Sequence, residues 1–279
     1  MKSMIVASSL MFSLSVSAQL DRPESVLVHK NILYVSNMSG PGNLKDGIGW
    51  ISKLDKKGKV IKAKWVEGLN SPKGLGIYKG HLYTGDIDEI AMIDLVKGSV
   101  KKIPVPGSKL LNDIAIDPSG YLYISDTFAS KIFKVNLETE EVKELVSLKE
   151  TPNGLLLTGD TLLIAGYGKA KADGSGLEDG PKGGLSSLDL KTGEVKVIIP
   201  DLGKIDGIEM VKDGQILITV KVDEALYWVD VKEKKITGAL KGETAFAFFT
   251  DVADMGYDPK TDTLYVPNSN GHNIQILKP

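Results

Sequence analysis

Apolar and polar positions alternate in short runs along most of the chain, and Gly, Pro, Asp or Asn interrupts the alternation at close intervals. Runs of this length, bounded by turn residues, predict β-strands, and no stretch shows the apolar stripe of an amphipathic helix of three turns. The strands recur as a unit. A polar residue opens each unit, an apolar stretch and a turn follow, and a second strand then carries an apolar pair. The polar residues are Glu24, Lys73, Asn112, Asn153, Asp206 and Asp254. The pairs are Leu33-Tyr34, Leu82-Tyr83, Leu122-Tyr123, Leu162-Leu163, Ile216-Leu217 and Leu264-Tyr265. Ten or eleven residues separate the polar residue from the second member of its pair in all six units.

Successive pairs lie 49, 40, 40, 54 and 48 residues apart. A four-stranded propeller blade occupies about 40–50 residues, so six units predict an all-β fold, a six-bladed β-propeller with four-stranded blades, over residues 19–279. An up-and-down barrel has no such period. The second unit reads as strands Leu75–Tyr78, His81–Gly85, Ile90–Leu95 and Ser99–Val105. The last unit reaches Pro279 after three strands, and Gln19 to Pro23 is the candidate for the fourth, closing the ring. Insertions at Asn37 to Gly49 and at Gly166 to Gly184 break the rhythm between second and third strands. That position puts them on the face where the polar residues begin, as a lid over a site or as tolerated surface loops.

Composition narrows the picture. A hydrophobic content of 42% supports a large core, and a net charge of −2 gives no basic surface for nucleic acid. The absence of cysteine excludes disulfides, thiolate metal sites and a lipid-acceptor cysteine. Residues 1–18 carry Lys2, an apolar run from Met4 to Val16, and the small-x-small ending Val16-Ser17-Ala18 of a secretory signal peptide. A membrane anchor is the competing reading, but the run falls short of the ~20 residues a span needs. The expectation is a periplasmic or secreted protein with no membrane association after cleavage. His29, His81 and His272 fall in or beside turns, and neither a nucleophile elbow nor a phosphate loop is present. Phe246, Phe248 and Phe249 precede the last unit, as core or as an apolar wall beside the site.

Innermost propeller strands radiate from a narrow channel, so their first residues converge. Three carboxylates there, Glu24, Asp206 and Asp254, would raise one another's pKa values unless a cation lies between them. Oxygen ligands without Cys or His favour a hard divalent ion, Ca²⁺ first, with Mg²⁺, Mn²⁺ or Zn²⁺ as substitutes. Polar residues that merely cap strands around a wet channel give the same pattern. Lys73 reads as a partner for Glu24 or Asp254, or as an anion anchor.

The segments Pro23-Glu24-Ser25-Val26, Leu111 to Asp117, Thr151-Pro152-Asn153-Gly154-Leu155 and Ile205-Asp206-Gly207-Ile208 together resemble the regucalcin, gluconolactonase and luciferin-regenerating enzyme group of six-bladed propellers. The similarity extends from Glu24 to about Val266. It implies a divalent metal held by Glu24, Asn153 and Asp206, with Asn112 beside it helping to hold metal or substrate. The group's first motif is usually Glu-Gly-Pro, whereas Ser25-Val26 follows Glu24 here. Sugar-lactone members often carry Arg two residues before the auxiliary Asn, and this chain has Leu110. The implied activity is metal-dependent hydrolysis of a small-molecule lactone or ester. Asp206 or Asp254 would serve as proton acceptor, and Asn112 and Lys73 would contact substrate. The alternative is a non-catalytic propeller that binds a ligand or partner protein.

Overall fold

The computed structural model describes residues 14–16, 19–173, 175–241, 243–244 and 247–278. Six four-stranded antiparallel sheets stand around a common axis as blades. Blade one comprises Pro23–His29, Ile32–Asn37, Gly49–Asp55 and Val60–Leu69, from the axis outward. Blade two is Pro72–Tyr78, His81–Asp86, Glu89–Asp94 and Val100–Pro104, and blade three is Leu111–Ile116, Tyr121–Asp126, Lys131–Asn136 and Val142–Ser147. Blade four is Thr151–Thr158, Thr161–Gly168, Gly183–Asp189 and Val195–Gly203, and blade five is Ile205–Met210, Ile216–Val220, Ala225–Asp230 and Lys235–Lys241. Blade six is Gly256–Asp258, Thr263–Asn268, Asn273–Leu277 and, from the other end of the chain, Leu14–Val16. A two-stranded hairpin, Glu243–Thr244 with Ala247–Phe248, lies between blades five and six in the chain.

The fourth strand of blade six is therefore not Gln19 to Pro23. Leu14 pairs with Ile276 and Val16 with Ile274, while Pro23 starts the inner strand of blade one. Gln19 and Arg22 adopt positive φ (58° and 49°), so the segment between turns instead of extending along blade six. Leu14–Val16 belong to the expected signal peptide, so the fourth strand of blade six lies outside the expected domain bounds 19–279 and cleavage after Ala18 would remove it; residues 1–13, 17 and 18 lie outside the described residues, as does Phe246. Ring closure is also made by side chains. Val26, Leu33, Val35 and Leu54 of blade one pack with Tyr265 and Ile274 of blade six, and Lys56 pairs with Asp258 at 2.7 Å.

Hydrophobic side chains of one blade's sheet pack on the next, which explains why no unit buries its faces alone. Tyr83 and Ile90 of blade two share a cluster with Leu111, Ile114, Leu122 and Phe133 of blade three. Phe249 is buried in a cluster with Met255, Leu264 and Val266 beneath blade six, so it packs in the core and does not line the mouth. Turn chemistry repeats as well. Asp55, Asp94, Asn136, Asp189 and Asp230 each end a third strand and accept the backbone N–H two residues on, the bond that closes an Asx turn.

One irregularity positions the site. In blades one to five the inner strand leaves the ladder for two residues: Glu24-Ser25, Lys73-Gly74, Asn112-Asp113, Asn153-Gly154 and Asp206-Gly207. Buried hydroxyls of the second strand replace part of the lost pairing. Ser36 accepts from Ser25 N, Thr84 from Lys73 N, Ser125 from Asp113 N and Thr219 from Gly207 N. A bulge that frees two residues from a sheet re-aims their side chains, here toward the axis.

Candidate functional site

At one end of the channel a cavity of about 260 Å³ is lined by Glu24, Lys73, Asn112, Asn153 and Asp206, all buried. Five of the six residues expected to converge thus meet. The sixth does not. Three positions after the polar residue, each inner strand pairs with the second member of the apolar pair: Leu27 with Tyr34, Gly76 with Tyr83, Ala115 with Tyr123, Leu156 with Leu163 and Glu209 with Leu217. In blade six the matching pair is Gly256 with Tyr265, which makes Ala253 the equivalent of Glu24. Asp254 is one residue too late, and a slip of one residue changes the direction a side chain faces. It lines a second cavity of about 260 Å³ in the channel, with Asp113 and Glu209, and accepts from Ser25 Oγ at 2.6 Å. Asp254 therefore has no place among the groups of the mouth.

The glycines of the Asn-Gly and Asp-Gly motifs have a packing reason. A Cβ on Gly154 would lie 2.6 Å from Asp206 O, and one on Gly207 would lie 2.8 Å from Asp254 Cα. Neighbouring inner strands run so close that only hydrogen fits between them. Asp113 tightens the same ring by accepting Leu155 N of blade four at 2.6 Å.

The electrostatics of the mouth are unusual for buried groups. Glu24 Oε2 is buried without a hydrogen-bond partner. Burial pushes the Glu24 carboxyl up to about 8; Lys73 opposes that rise and Asp206 adds to it. Burial also lowers Lys73, against the pull of Glu24. Asp206 Oδ2 makes no well-directed hydrogen bond, yet lies 2.9 Å from Lys221 Nζ, which also faces Asp251 at 3.1 Å. Burial disfavours the charge on Lys221, but Asp206, Tyr167 and Asp251 outweigh it and hold the ammonium above its usual range. Asn112 donates Nδ2 to Thr127 Oγ1 at 3.2 Å, which turns its carbonyl oxygen away from that bond.

Both insertions reach this cavity. Met38, Gly42 and Asn43 come from the first, and Tyr167 and Leu177 from the second. With Leu110 and Phe128, Met38 and Leu177 give the cavity an apolar wall. Lys221, Tyr167 and Thr127 were not legible from the inner strands. Met38, Thr127 and Lys221 each follow the last residue of a second strand, so that position forms a second set of lining groups. Among the described residues no three His, Cys, Asp or Glu side chains gather as a metal cage; any further donors are the Asn amides.

No family model matches the chain, and no curated protein matches it. Among solved structures it is similar to a protein of unknown function from Bacteroides thetaiotaomicron, with a TM-score of 0.71 and 13% identity over 94% of this chain and 70% of that one. It is also similar to streptogramin B lyase, with a TM-score of 0.64 and 12% identity over 96% of this chain and 97% of that one. At such identities the likeness establishes the propeller fold, and the resemblance to the regucalcin and gluconolactonase group rests on the motif residues.

Proposed function

We propose that the mouth cavity binds a small lactone or related ester and, with a divalent cation, hydrolyses it outside the cytoplasm. The observation that carries this reading is the buried carboxylate oxygen Glu24 Oε2, which has no hydrogen-bond partner and lies in a cavity shared with Asp206 and two Asn amides. Buried anionic oxygens of this kind are costly unless compensated. Carboxylate and amide oxygens from separate strands suit a hard ion, so Glu24, Asn153 and Asp206 would hold it, with Asn112 beside them. Ca²⁺ fits best, and Mg²⁺, Mn²⁺ or Zn²⁺ are substitutes. When bound, such an ion polarises an ester carbonyl and makes water a better nucleophile.

The chain's own groups supply the rest. Asp206, oriented by Lys221 at 2.9 Å, accepts the proton of the attacking water. Water oxygen bonds to the carbonyl carbon, the ester C–O bond breaks, and the alcohol leaves with a proton. Asn112, fixed by Thr127, positions the ligand. Met38, Leu110, Phe128 and Leu177 take up its apolar part. Leu110 cannot offer the bidentate donor that Arg would give a polyhydroxylated sugar ring, which points to a less polar substrate.

A second reading has its own support. Lys221 already lies against Asp206, which offsets that charge without a metal and suits a non-catalytic ligand-binding propeller. The neighbour named as a lyase adds a third outcome, elimination, which breaks the alkyl C–O bond of the same ester group. One experiment separates the three: a panel of lactones and aryl esters turned over with Ca²⁺ in water labelled with heavy oxygen. Hydrolysis places label in the acid product, elimination gives an unlabelled unsaturated product, and a binder gives neither. Asp206→Ala and Glu24→Gln are expected to abolish turnover while remaining folded. Full turnover in both variants refutes the assignment.

A further inference from the structure

Two lysine ammoniums line the mouth cavity, and their surroundings differ. Lys221 is neutralised by Asp206 and Asp251 at 2.9 and 3.1 Å. Lys73, only 5% exposed, makes no ion pair among the described residues. Its Nζ reaches Met38 Sδ at 3.1 Å and Ser71 Oγ at 3.4 Å. An ammonium has three donors and a thioether is a weak acceptor, so this buried group is under-satisfied on the side that faces the cavity. The first insertion closes directly over it. A Cβ on Gly42 would come within 3.2 Å of both Lys73 Nζ and Met38 Sδ, so a side chain there would crowd the ends of both.

We propose that Lys73 anchors a single carboxylate carried by the ligand, so that the cavity selects monoanionic small molecules over their neutral esters. This rests on the mouth cavity being the ligand site, but not on turnover. One point charge matches a monoanion. Lys221 is paired with Asp206 and Asp251, and Arg22, whose Nη1 donates to Gly40 O at 2.7 Å, is not among the residues that line the cavity. A phosphate dianion would need more donors than one ammonium supplies. Beyond the amine, Met38, Leu110, Phe128 and Leu177 form an apolar wall beside the polar groups Asn112, Asn153, Thr127 and Tyr167. A bound carboxylate replaces the thioether as partner, a charge-assisted hydrogen bond in place of a weak one.

The test uses two probes with one carbon skeleton, monomethyl glutarate and dimethyl glutarate, titrated calorimetrically into the full chain with EDTA present, so that no metal-dependent hydrolysis consumes either ester. The wild type is expected to bind the monoanion roughly tenfold tighter or better, and Lys73→Met to bring the two within about twofold. If Lys73→Met does not fold, the wild type serves alone. Monomethyl glutarate then protects Lys73 from acylation by acetic anhydride, read by peptide mass spectrometry, and dimethyl glutarate does not. Equal binding of both probes, no saturable binding of the monoanion, a preference that survives in Lys73→Met, or no selective protection each overturns the proposal. A preference without hydrolysis of any ester leaves it standing and removes only the catalytic reading.

Discussion

Replacing Glu209 by Gln should stabilise the protein, and only toward alkaline pH. Glu209 faces the channel cavity beside Asp113 and Asp254. Burial pushes its carboxyl from 4.5 up to about 8, and Asp113 adds to the rise. Burial also takes Asp113 to about 7. A carboxyl whose folded pKa exceeds its unfolded value binds more protons in the native state between the two. Stability is therefore fully present below the unfolded pKa, falls as pH rises through the window, and levels off above the folded pKa. At ~1.36 kcal/mol for each pH unit, the span from 4.5 to about 8 sets a ceiling of roughly 5 kcal/mol. Glu209 is only partly buried, so solvent takes up part of the charge and about 2–3 kcal/mol is the working figure. For a chain of this size that corresponds to roughly 5–10 °C in Tm. Thermal melts of wild type and Glu209→Gln from about pH 5 to pH 8 read it directly. The variant should match the wild type at the acid end and exceed it at the alkaline end. A Tm difference that does not change with pH refutes the reasoning.

Two further predictions concern the frame of the mouth. Gly154→Ala places a methyl 2.6 Å from Asp206 O, so the inner strands of blades four and five must separate; a loss of about 1–3 kcal/mol is expected in urea unfolding, together with weaker ligand binding. Ser125 accepts from Asp113 N and donates to Asn153 O at 2.7 Å, so Ser125→Ala strands two buried backbone groups and should cost about 1–3 kcal/mol by the same measurement. An unchanged unfolding midpoint in either variant contradicts the role given to that residue.

The propeller was legible because the blade repeat is written in residues that folding itself requires. The apolar pairs Leu33-Tyr34 to Leu264-Tyr265 sit on second strands, which are buried on both faces, and each keeps its ten or eleven residues from the polar residue while the loop insertions fall elsewhere. The polar residues were legible for the same reason, being fixed three positions before a paired residue. Asp254 misled because blade six has one more residue between Gly256 and Tyr265 than blade three has between Ala115 and Tyr123. Its distance from the apolar pair still fell within the range of the other units. Lys221 and Tyr167 each lie four residues after the second member of an apolar pair, as Met38 and Thr127 do, so the repeat contained this second set of lining groups, but the inner-strand starts alone do not point to it. The closing strand at Leu14–Val16 was hidden by an apolar run that also suits a leader. Side-chain packing decides which of several extended segments pairs at an edge, and a count of residues does not contain that.

The central claim is that Glu24, Asn153 and Asp206 hold a divalent cation between blades. An ion bound only by the folded state raises stability by RT ln(1 + [L]/Kd), about 2.7 kcal/mol at a hundredfold excess over Kd, or roughly 5–10 °C in Tm. The decisive measurement is Tm against Ca²⁺ concentration for the wild type and Glu24→Gln, repeated with Mg²⁺ and Mn²⁺. A saturable rise in the wild type that Glu24→Gln abolishes is the expected result. A wild-type Tm that stays flat with all three ions contradicts it.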